Sequence, residues 1–359
     1  MSLRLTLANK QVLNCEVFVT GFPEFSTTKL RLYAVLRLSV VVSALALTQC
    51  SQSDEPIELV YPLAESVLLP GEEWQLVSGD YLYTDAPAVD KNGLVYFSDV
   101  TGFQTLRENA DGSISVFDDN NGGSQGMMFG ADGLLYTCSN REGKFITYAP
   151  DGSKADLYID KTYPVIGNPN AEPEFCNDIV VTSWGDIYYT DRANRQVLIM
   201  RPGEEPEVVA SGYRPNGIIL SPDENVLYTT DSIDPRLWVF GINADGTLED
   251  KGNVFDRVST NIDLNGQQIA KNRPGTDGMT IDSEGRVYVS AFTGIHVYSP
   301  DGKVIGVIPR PGVFTSNLAF GGEDLAYLYS TGANKTFKRK MNAQGAPYFL
   351  RAAVESDSP

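Results

Sequence analysis

Short apolar runs that each carry a tyrosine recur six times along the chain, and each follows a tight-turn sequence such as Lys91-Asn92-Gly93. A second turn sequence, such as Pro150-Asp151-Gly152, follows later in every unit. Glycine and asparagine supply the positive φ that a hairpin turn requires, so each unit is typical of two hairpins. The pattern therefore predicts six four-stranded antiparallel sheets. The apolar runs begin at Leu94, Leu134, Ile187, Leu227, Val287 and Ala326.

Six such units, with no helical period between them, indicate an all-β fold. We predict a six-bladed β-propeller with four-stranded antiparallel blades. The last unit ends near Met341 after three strands, and residues 74–78 are predicted to supply the fourth and so join the two ends of the ring. In this organisation residues 1–50 form an N-terminal extension with a signal-like or lipoprotein-like segment. Residues 51–73 form a linker, and residues 74–350 form the propeller as one domain.

One polar residue precedes the first apolar strand of every unit, 10 to 12 residues before the tyrosine of the next strand. The first strand of a propeller blade lines the central channel, so these positions are expected to form a ring at one end of the channel. All six side chains carry an oxygen acceptor, which suits Ca²⁺, with Mg²⁺, Mn²⁺ or Zn²⁺ as alternatives. Turn capping before a strand is the competing interpretation. The six residues are Asp85, Gln125, Asn177, Asn216, Asp277 and Asn317.

The N-terminal region has the parts of a secretory signal. Three basic residues lead into the apolar run 38–47, and a polar stretch follows Cys50. The run is too short to span a bilayer, so we expect export rather than membrane insertion. Residues 47–50 also resemble a bacterial lipobox, which would place a lipid on Cys50 and anchor the protein to the cell envelope; otherwise we expect a periplasmic protein. A buried hydrophobic helix is the alternative.

The charge balance narrows the possible partners. The chain has 46 acidic and 28 basic residues, a formal net charge of −18, which disfavours binding to nucleic acids and to anionic lipids.

With one histidine, His296, a histidine-rich metal site is excluded. Gly122-Gly123-Ser124-Gln125-Gly126 matches a serine-hydrolase motif but precedes a strand, and His296 lies in an apolar strand, so we disfavour that chemistry. Cys138 and Cys176 can form a disulfide in an exported protein or remain as buried thiols.

Four segments of the chain resemble signature sequences of the SMP-30/gluconolactonase family. They are TDAPAVDKNGLVYFSD at 84–99, CND at 176–178, RPNGIILSPD at 214–223 and TDGMTID at 276–282. The resemblance implies a six-bladed propeller with one divalent ion, usually calcium, held by a Glu, two Asn and an Asp. Carried onto this chain, the ligands are Asn177, Asn216 and Asp277, with Asp85 at the Glu position. Some members have a substrate-binding Arg two residues before the first Asn, where this chain has Phe175.

The same resemblance implies hydrolysis of a small-molecule lactone, and the sequence gives no sign of an organic cofactor. We expect Asp277 to be the catalytic general base, with Asp85 as the second candidate. Gln125, Asn317 and Phe175 are predicted to contact substrate, although Phe175, like Phe314, is alternatively a core aromatic residue. Asp178 either supports Asn177 or bonds to backbone at a strand start. We expect a monomer that meets a membrane through the N-terminal lipid alone. Phosphotriester or fluorophosphate hydrolysis on the same site, and ligand binding without catalysis, remain the rival functions.

Overall fold

The computed structural model describes residues 2–6, 12–16, 63–160, 175–234, 236–249, 253–255 and 276–348. The chain divides into two compact units, residues 1–58 and 59–359. In the first unit, strands Ser2–Thr6 and Val12–Glu16 pair in an antiparallel hairpin. The apolar run 38–47 and Cys50, on which the export and lipidation predictions depend, lie outside the described residues. None of the helices in the described part is long and apolar enough to cross a bilayer.

The described residues of the second unit form six four-stranded antiparallel sheets, which confirms the predicted six-bladed β-propeller. Blade 1 contains Thr84–Val89, Val95–Asp99, Gln104–Glu108 and Ile114–Asp118. Blade 2 contains Ser124–Phe129, Leu135–Ser139, Lys144–Tyr148 and Lys154–Ile159. Blade 3 contains Ile179–Val181, Ile187–Asp191, Gln196–Met200 and Glu207–Ser211. Blade 4 contains Pro215–Leu220, Val226–Asp231, Leu237–Gly241 and Asn253–Val254. Blade 5 contains Thr276–Ile281, Val287–Ala291, Gly294–Tyr298 and Val304–Ile308.

Blade 6 joins the two ends of the propeller. It contains Asn317–Gly321, Tyr327–Gly332 and Lys335–Lys340, and its fourth strand is Gln75–Gly79 from the start of the domain. Gly79 pairs with Lys335 and Gln75 with Lys338, so the predicted closure is confirmed with its strand one residue later than expected. Because the outer strand comes from the opposite end of the sequence, the ring has no open blade edge at this point.

Part of the segment predicted as a linker packs against the propeller. Leu63 forms a parallel bridge with Val307, and a short 3₁₀ helix spans Glu65–Val67. Ala64 and Val67 are fully buried in a cluster that also contains residues of blades 5 and 6. A second 3₁₀ helix, Glu323–Leu325, lies in the first hairpin of blade 6.

The core lies between adjacent blades. Ile218, Leu220 and Leu227 of blade 4 form one buried cluster with Met279 and Val287 of blade 5. Alternate residues of each strand face the two neighbouring blades, so both faces of a sheet are buried. This burial explains why the first and second strands of the blades are mostly apolar.

Glycines let the innermost strands approach one another closely. A Cβ atom built on Gly126 would lie 2.7 Å from the Cα atom of Asp178 in the next blade. A Cβ atom on Gly217 would lie 2.6 Å from the backbone oxygen of Asp277, again one blade further on. No side chain fits in these gaps, so the residue that follows the ring position has to be glycine in these blades. The close approach brings the side chains of neighbouring ring positions together.

Candidate active site

All six predicted ring residues lie at the same end of the innermost strands. Asp85, Gln125, Asn216 and Asp277 are the second residues of their strands, Asn317 is the first residue of its strand, and Asn177 lies two residues before its strand. Asp85, Asn177, Asn216 and Asn317 are buried, whereas Gln125 and Asp277 are half-buried. The structure thus places the six positions around one mouth of the central channel, each from a different blade.

A β-bulge accompanies the ring position in four blades. The register between the first and second strands shifts between Asp85 and Ala88, between Ser124 and Met127, between Pro215 and Ile218, and between Thr276 and Met279. A bulge bends its strand and changes the direction of nearby side chains, and bulges are common next to active sites. Here the irregularity includes the ring residue or directly adjoins it.

Hydroxyl groups of the second strands hold the ring backbone in place. Thr190 Oγ1 donates to the carbonyl of Asn216 (2.6 Å) and accepts from the amide of Asp178 (3.1 Å). Thr230 Oγ1 repeats this arrangement one blade later, donating to the carbonyl of Asp277 (2.8 Å) and accepting from the amide of Gly217 (2.8 Å). Each hydroxyl therefore ties its own blade to the ring residue of the next, which fixes Asn216 and Asp277 relative to each other.

The two ring carboxylates act on each other electrostatically. Burial raises the pKa of Asp85 well above its ordinary value, and the negative charge of Asp277 raises it further. Burial and the charges of Asp85 and Asp277 also raise the pKa of Tyr83, while the Arg192 guanidinium acts in the opposite direction. Blades 1 and 5 therefore bring two like charges together at the mouth, a costly arrangement that a bound cation would relieve.

Asp178 supplies a third carboxylate just inside the ring. Its oxygens accept hydrogen bonds from the amide of Ile179 (3.0 Å) and from Asn317 Nδ2 (3.3 Å). Burial raises the pKa of Asp178 to about 7, against the lowering effect of these bonds. Asp178 and Asn317 also line a cavity of about 80 Å³, most of whose other walls are apolar residues such as Met279. Tyr348 lines the same cavity and donates to the backbone oxygen of Leu220.

The donor set at the mouth suits a hard divalent cation if the amides take part. Among the described residues, no group of three or more His, Cys, Asp or Glu side chains is placed to hold a metal ion. Asp85 and Asp277 therefore need Asn177 and Asn216 to complete a ligand set, and carboxylate with amide oxygen is the chemistry that Ca²⁺ prefers. Asn216 Nδ2 donates to Ser232 Oγ (3.3 Å), which leaves the amide oxygen as the ligating end. The residues present fit such an ion.

Comparison with known proteins identifies the family. Residues 83–334 match the SMP-30/Gluconolactonase/LRE-like region. The chain belongs to this family.

Its relatives are distant in sequence but similar in fold. A gluconolactonase from Zymomonas mobilis is 25% identical over 306 residues, which cover 76% of this chain and 83% of the relative. The solved structure of a gluconolactonase from Xanthomonas campestris is 24% identical, with a TM-score of 0.63 over 77% of this chain and 92% of that one. The structure of a calcium-binding protein, regucalcin, from Agrobacterium tumefaciens is 18% identical, with a TM-score of 0.61 over 76% and 95% of the two chains.

Phe175 lies in an aromatic cluster. Its ring is 5.1 Å from that of Phe145 and 6.0 Å from that of Tyr189, between blades 2 and 3, and Phe175 itself is buried. Phe175 also lines a cavity together with Tyr158 and Tyr189, so its substrate contact and its alternative as a core aromatic residue both stay predictions. Phe314 is half-buried with its ring 6.1 Å from that of Phe292, on the segment that enters blade 6.

The serine-hydrolase arrangement is not formed. Ser124 Oγ bonds to Thr137 Oγ1 and to the carbonyl of Asn121 within blades 1 and 2. His296 lies in the third strand of blade 5, fully buried, with Nε2 2.6 Å from Thr293 Oγ1. Burial lowers the pKa of His296 to about 3, so the ring is neutral at ordinary pH. The motif is a strand start, as expected.

A disulfide joins Cys138 and Cys176 beside the site. The sequence left open whether these cysteines form a disulfide or remain buried thiols, and the structure has the disulfide. The bond connects the second strand of blade 2 to the residue before Asn177. At the equivalent position of blade 5, Thr276 Oγ1 donates to the carbonyl of Asp231 in the preceding blade (2.7 Å). The disulfide thus joins two neighbouring blades covalently, whereas a threonine hydroxyl joins blades 4 and 5 by a hydrogen bond.

The hydroxyl groups that brace the ring were not identified from the sequence. They were nevertheless visible, because the tyrosine-bearing runs also carry a serine or threonine near their ends. Ser290 Oγ makes a related contact, since its one hydroxyl hydrogen lies between the carbonyl of Gly278 in its own blade (2.8 Å) and that of Ser316 in the next (3.2 Å). A hydroxyl residue two positions after the tyrosine of a run, repeated in three blades, is the signal that could have revealed these contacts.

Proposed function

We propose that this chain is a metal-dependent lactonase that opens a sugar lactone. The observation that carries the proposal is the placement of two carboxyl groups, Asp85 and Asp277, at equivalent positions of the innermost strands in a propeller of this family. Similarity to a gluconolactonase over 76% of the chain supports the substrate class. The calcium-binding relative of the same fold supports the choice of Ca²⁺.

Asp85, Asn177, Asn216 and Asp277 would hold the ion. Held there, a divalent cation would supply positive charge to polarise a lactone carbonyl. The protein contributes rigidity, because Thr190 and Thr230 fix the backbone of Asn216 and Asp277 before substrate arrives. Such preorganisation avoids reorganisation of the ligands during the reaction.

Asp277 is proposed as the general base. It is half-buried, so one of its oxygens can meet water at the mouth, whereas Asp85 is buried and accepts a hydrogen bond from the amide of Ala86 (2.8 Å). A carboxylate at Asp277 would take a proton from the attacking water. Asp85 then serves as a ligand.

The substrate class is tested with a panel of aldonolactones and a phosphotriester, each assayed with and without a chelator. We expect hydrolysis of at least one lactone, loss of that activity on chelation and its return with added Ca²⁺. Turnover of the phosphotriester alone would identify the rival enzyme class. Calcium binding without turnover of any substrate would instead indicate a ligand-binding propeller.

We also propose that the protein is exported, in line with the signal-like N-terminal segment. Support comes from the buried disulfide, since such bonds persist in oxidising compartments. Intact mass spectrometry of the chain purified from its native cell envelope should show loss of the residues before Cys50, with an added lipid mass if Cys50 is acylated. Recovery of a chain that starts at Met1 would contradict export by this route.

A further inference from the structure

Asn140 lies beside the site without belonging to the predicted ligand set. It directly follows the second strand of blade 2, Leu135–Ser139, and is buried, with 7% of its surface exposed. Its side chain bridges two residues of the mouth. The Oδ1 atom accepts from the backbone amide of Cys176 (3.0 Å), and Nδ2 donates to Gln125 Oε1 (2.5 Å).

The backbone amide of Cys176 sets the direction of this chain of hydrogen bonds. A backbone N–H can only donate, so the Asn140 atom that meets it must be the oxygen. The Asn140 amide nitrogen then faces Gln125, and the Gln125 atom that meets it must in turn be an oxygen. The orientation of both side-chain amides therefore follows from one group whose polarity is fixed.

We propose that Asn140 is a positioning residue that holds Gln125 as a hydrogen-bond donor toward the substrate. With its oxygen engaged by Asn140, Gln125 presents its Nε2 group at the mouth. Gln125 is then not a metal ligand, although it shares the ring register with Asn177 and Asn216. The inference rests on the proposed function, and it adds that the substrate places an acceptor oxygen, of a hydroxyl or of the lactone ring, next to blade 2.

The matched substitution Asn140→Asp reverses this polarity at almost constant shape. The introduced carboxylate still accepts from the amide of Cys176, but it cannot donate to Gln125 Oε1. Gln125 should then turn over, donate to this carboxylate and present its oxygen to the substrate. Because two acceptors, one on Gln125 and one on the substrate, now face each other, we expect kcat/KM for the lactone to fall about 10- to 100-fold, chiefly through KM.

A double-mutant cycle separates this effect from the added charge. In a Gln125→Met background, which has neither donor nor acceptor there, Asn140→Asp should change kcat/KM less than about twofold. An equal loss in both backgrounds, or no loss with Gln125 present, would overturn the inference. If Asn140→Asp does not fold, Gln125→Glu provides the same reversal, since its carboxylate accepts from Asn140 and presents a second acceptor.

A readout without turnover keeps the inference distinct from the proposed function. In protein labelled with ¹⁵N-glutamine, the Gln125 side-chain NH₂ should exchange rapidly with solvent in the wild type and slowly in Asn140→Asp, where it is hydrogen-bonded. Unchanged exchange would show that Asn140 does not orient Gln125. If exchange behaves as expected but no lactone is hydrolysed by the wild type, the positioning role stands and the proposed function fails.

Discussion

Replacing Asp277 with alanine is expected to reduce kcat for lactone hydrolysis by about three orders of magnitude or more. The substitution removes a ligand and the proposed base at once, so both the polarisation of the carbonyl and the activation of water are lost. The propeller should remain folded, because Asp277 is half-buried and its charge raises the pKa of Asp85 by repulsion. Steady-state kinetics, with circular dichroism as the check on folding, measures the effect.

Asp277→Asn separates the two roles. Asparagine keeps an oxygen ligand but cannot take a proton, so Ca²⁺ affinity measured by calorimetry should fall far less than kcat. Asp85→Asn is the matched control, since it also removes one of the paired charges but leaves the proposed base in place. A kcat for Asp277→Asn within tenfold of the wild type would exclude Asp277 as the base. Loss of affinity in proportion to kcat would assign it as a ligand alone.

The propeller was predictable because its signals are local. Each hairpin is encoded by a turn sequence and two adjacent apolar runs, and repetition of the unit makes the register unambiguous. Ring closure followed from counting strands in the last unit. Gln75–Gly79 lies more than 250 residues from its partner strand Lys335–Lys340. The pairing was nevertheless predictable, because the last repeat lacks one strand and the segment before the first repeat supplies it.

The ring of six oxygen-bearing residues was also predictable, for the same reason of register. Its internal connections were not, because they join residues that the sequence does not bring together. Asn140 bonds to Gln125 fifteen positions earlier and to Cys176 thirty-six positions later, and nothing in the local sequence marks it. Phe175 illustrates the same limit, since the direction of its side chain depends on Phe145 and Tyr189 in packed blades.

Removing the Cys138–Cys176 disulfide is expected to lower the free energy of unfolding by about 4 kcal/mol in the chain-entropy treatment, because the bond closes a loop with a sequence separation of 38. A loss of this size is a large fraction of the stability of an ordinary domain. The variant is Cys138→Ala with Cys176→Ala, compared with oxidised wild type by denaturant titration. Thiol labelling of the unfolded wild type should find both cysteines unreactive until a reductant is added.

The replacement Cys176→Thr, combined with Cys138→Ala, tests how much of this loss comes from the connection between blades. Thr276 makes the equivalent contact in blade 5 by donating to Asp231, so a threonine in place of Cys176 should recover part of the stability that alanine loses. Recovery by threonine would show that the interblade bond itself contributes, beyond restriction of the unfolded chain. Equal stabilities for the threonine and alanine variants would attribute the whole effect to loop closure. Unchanged stability on reduction of the wild type would contradict both explanations, the interblade bond and loop closure in the unfolded chain.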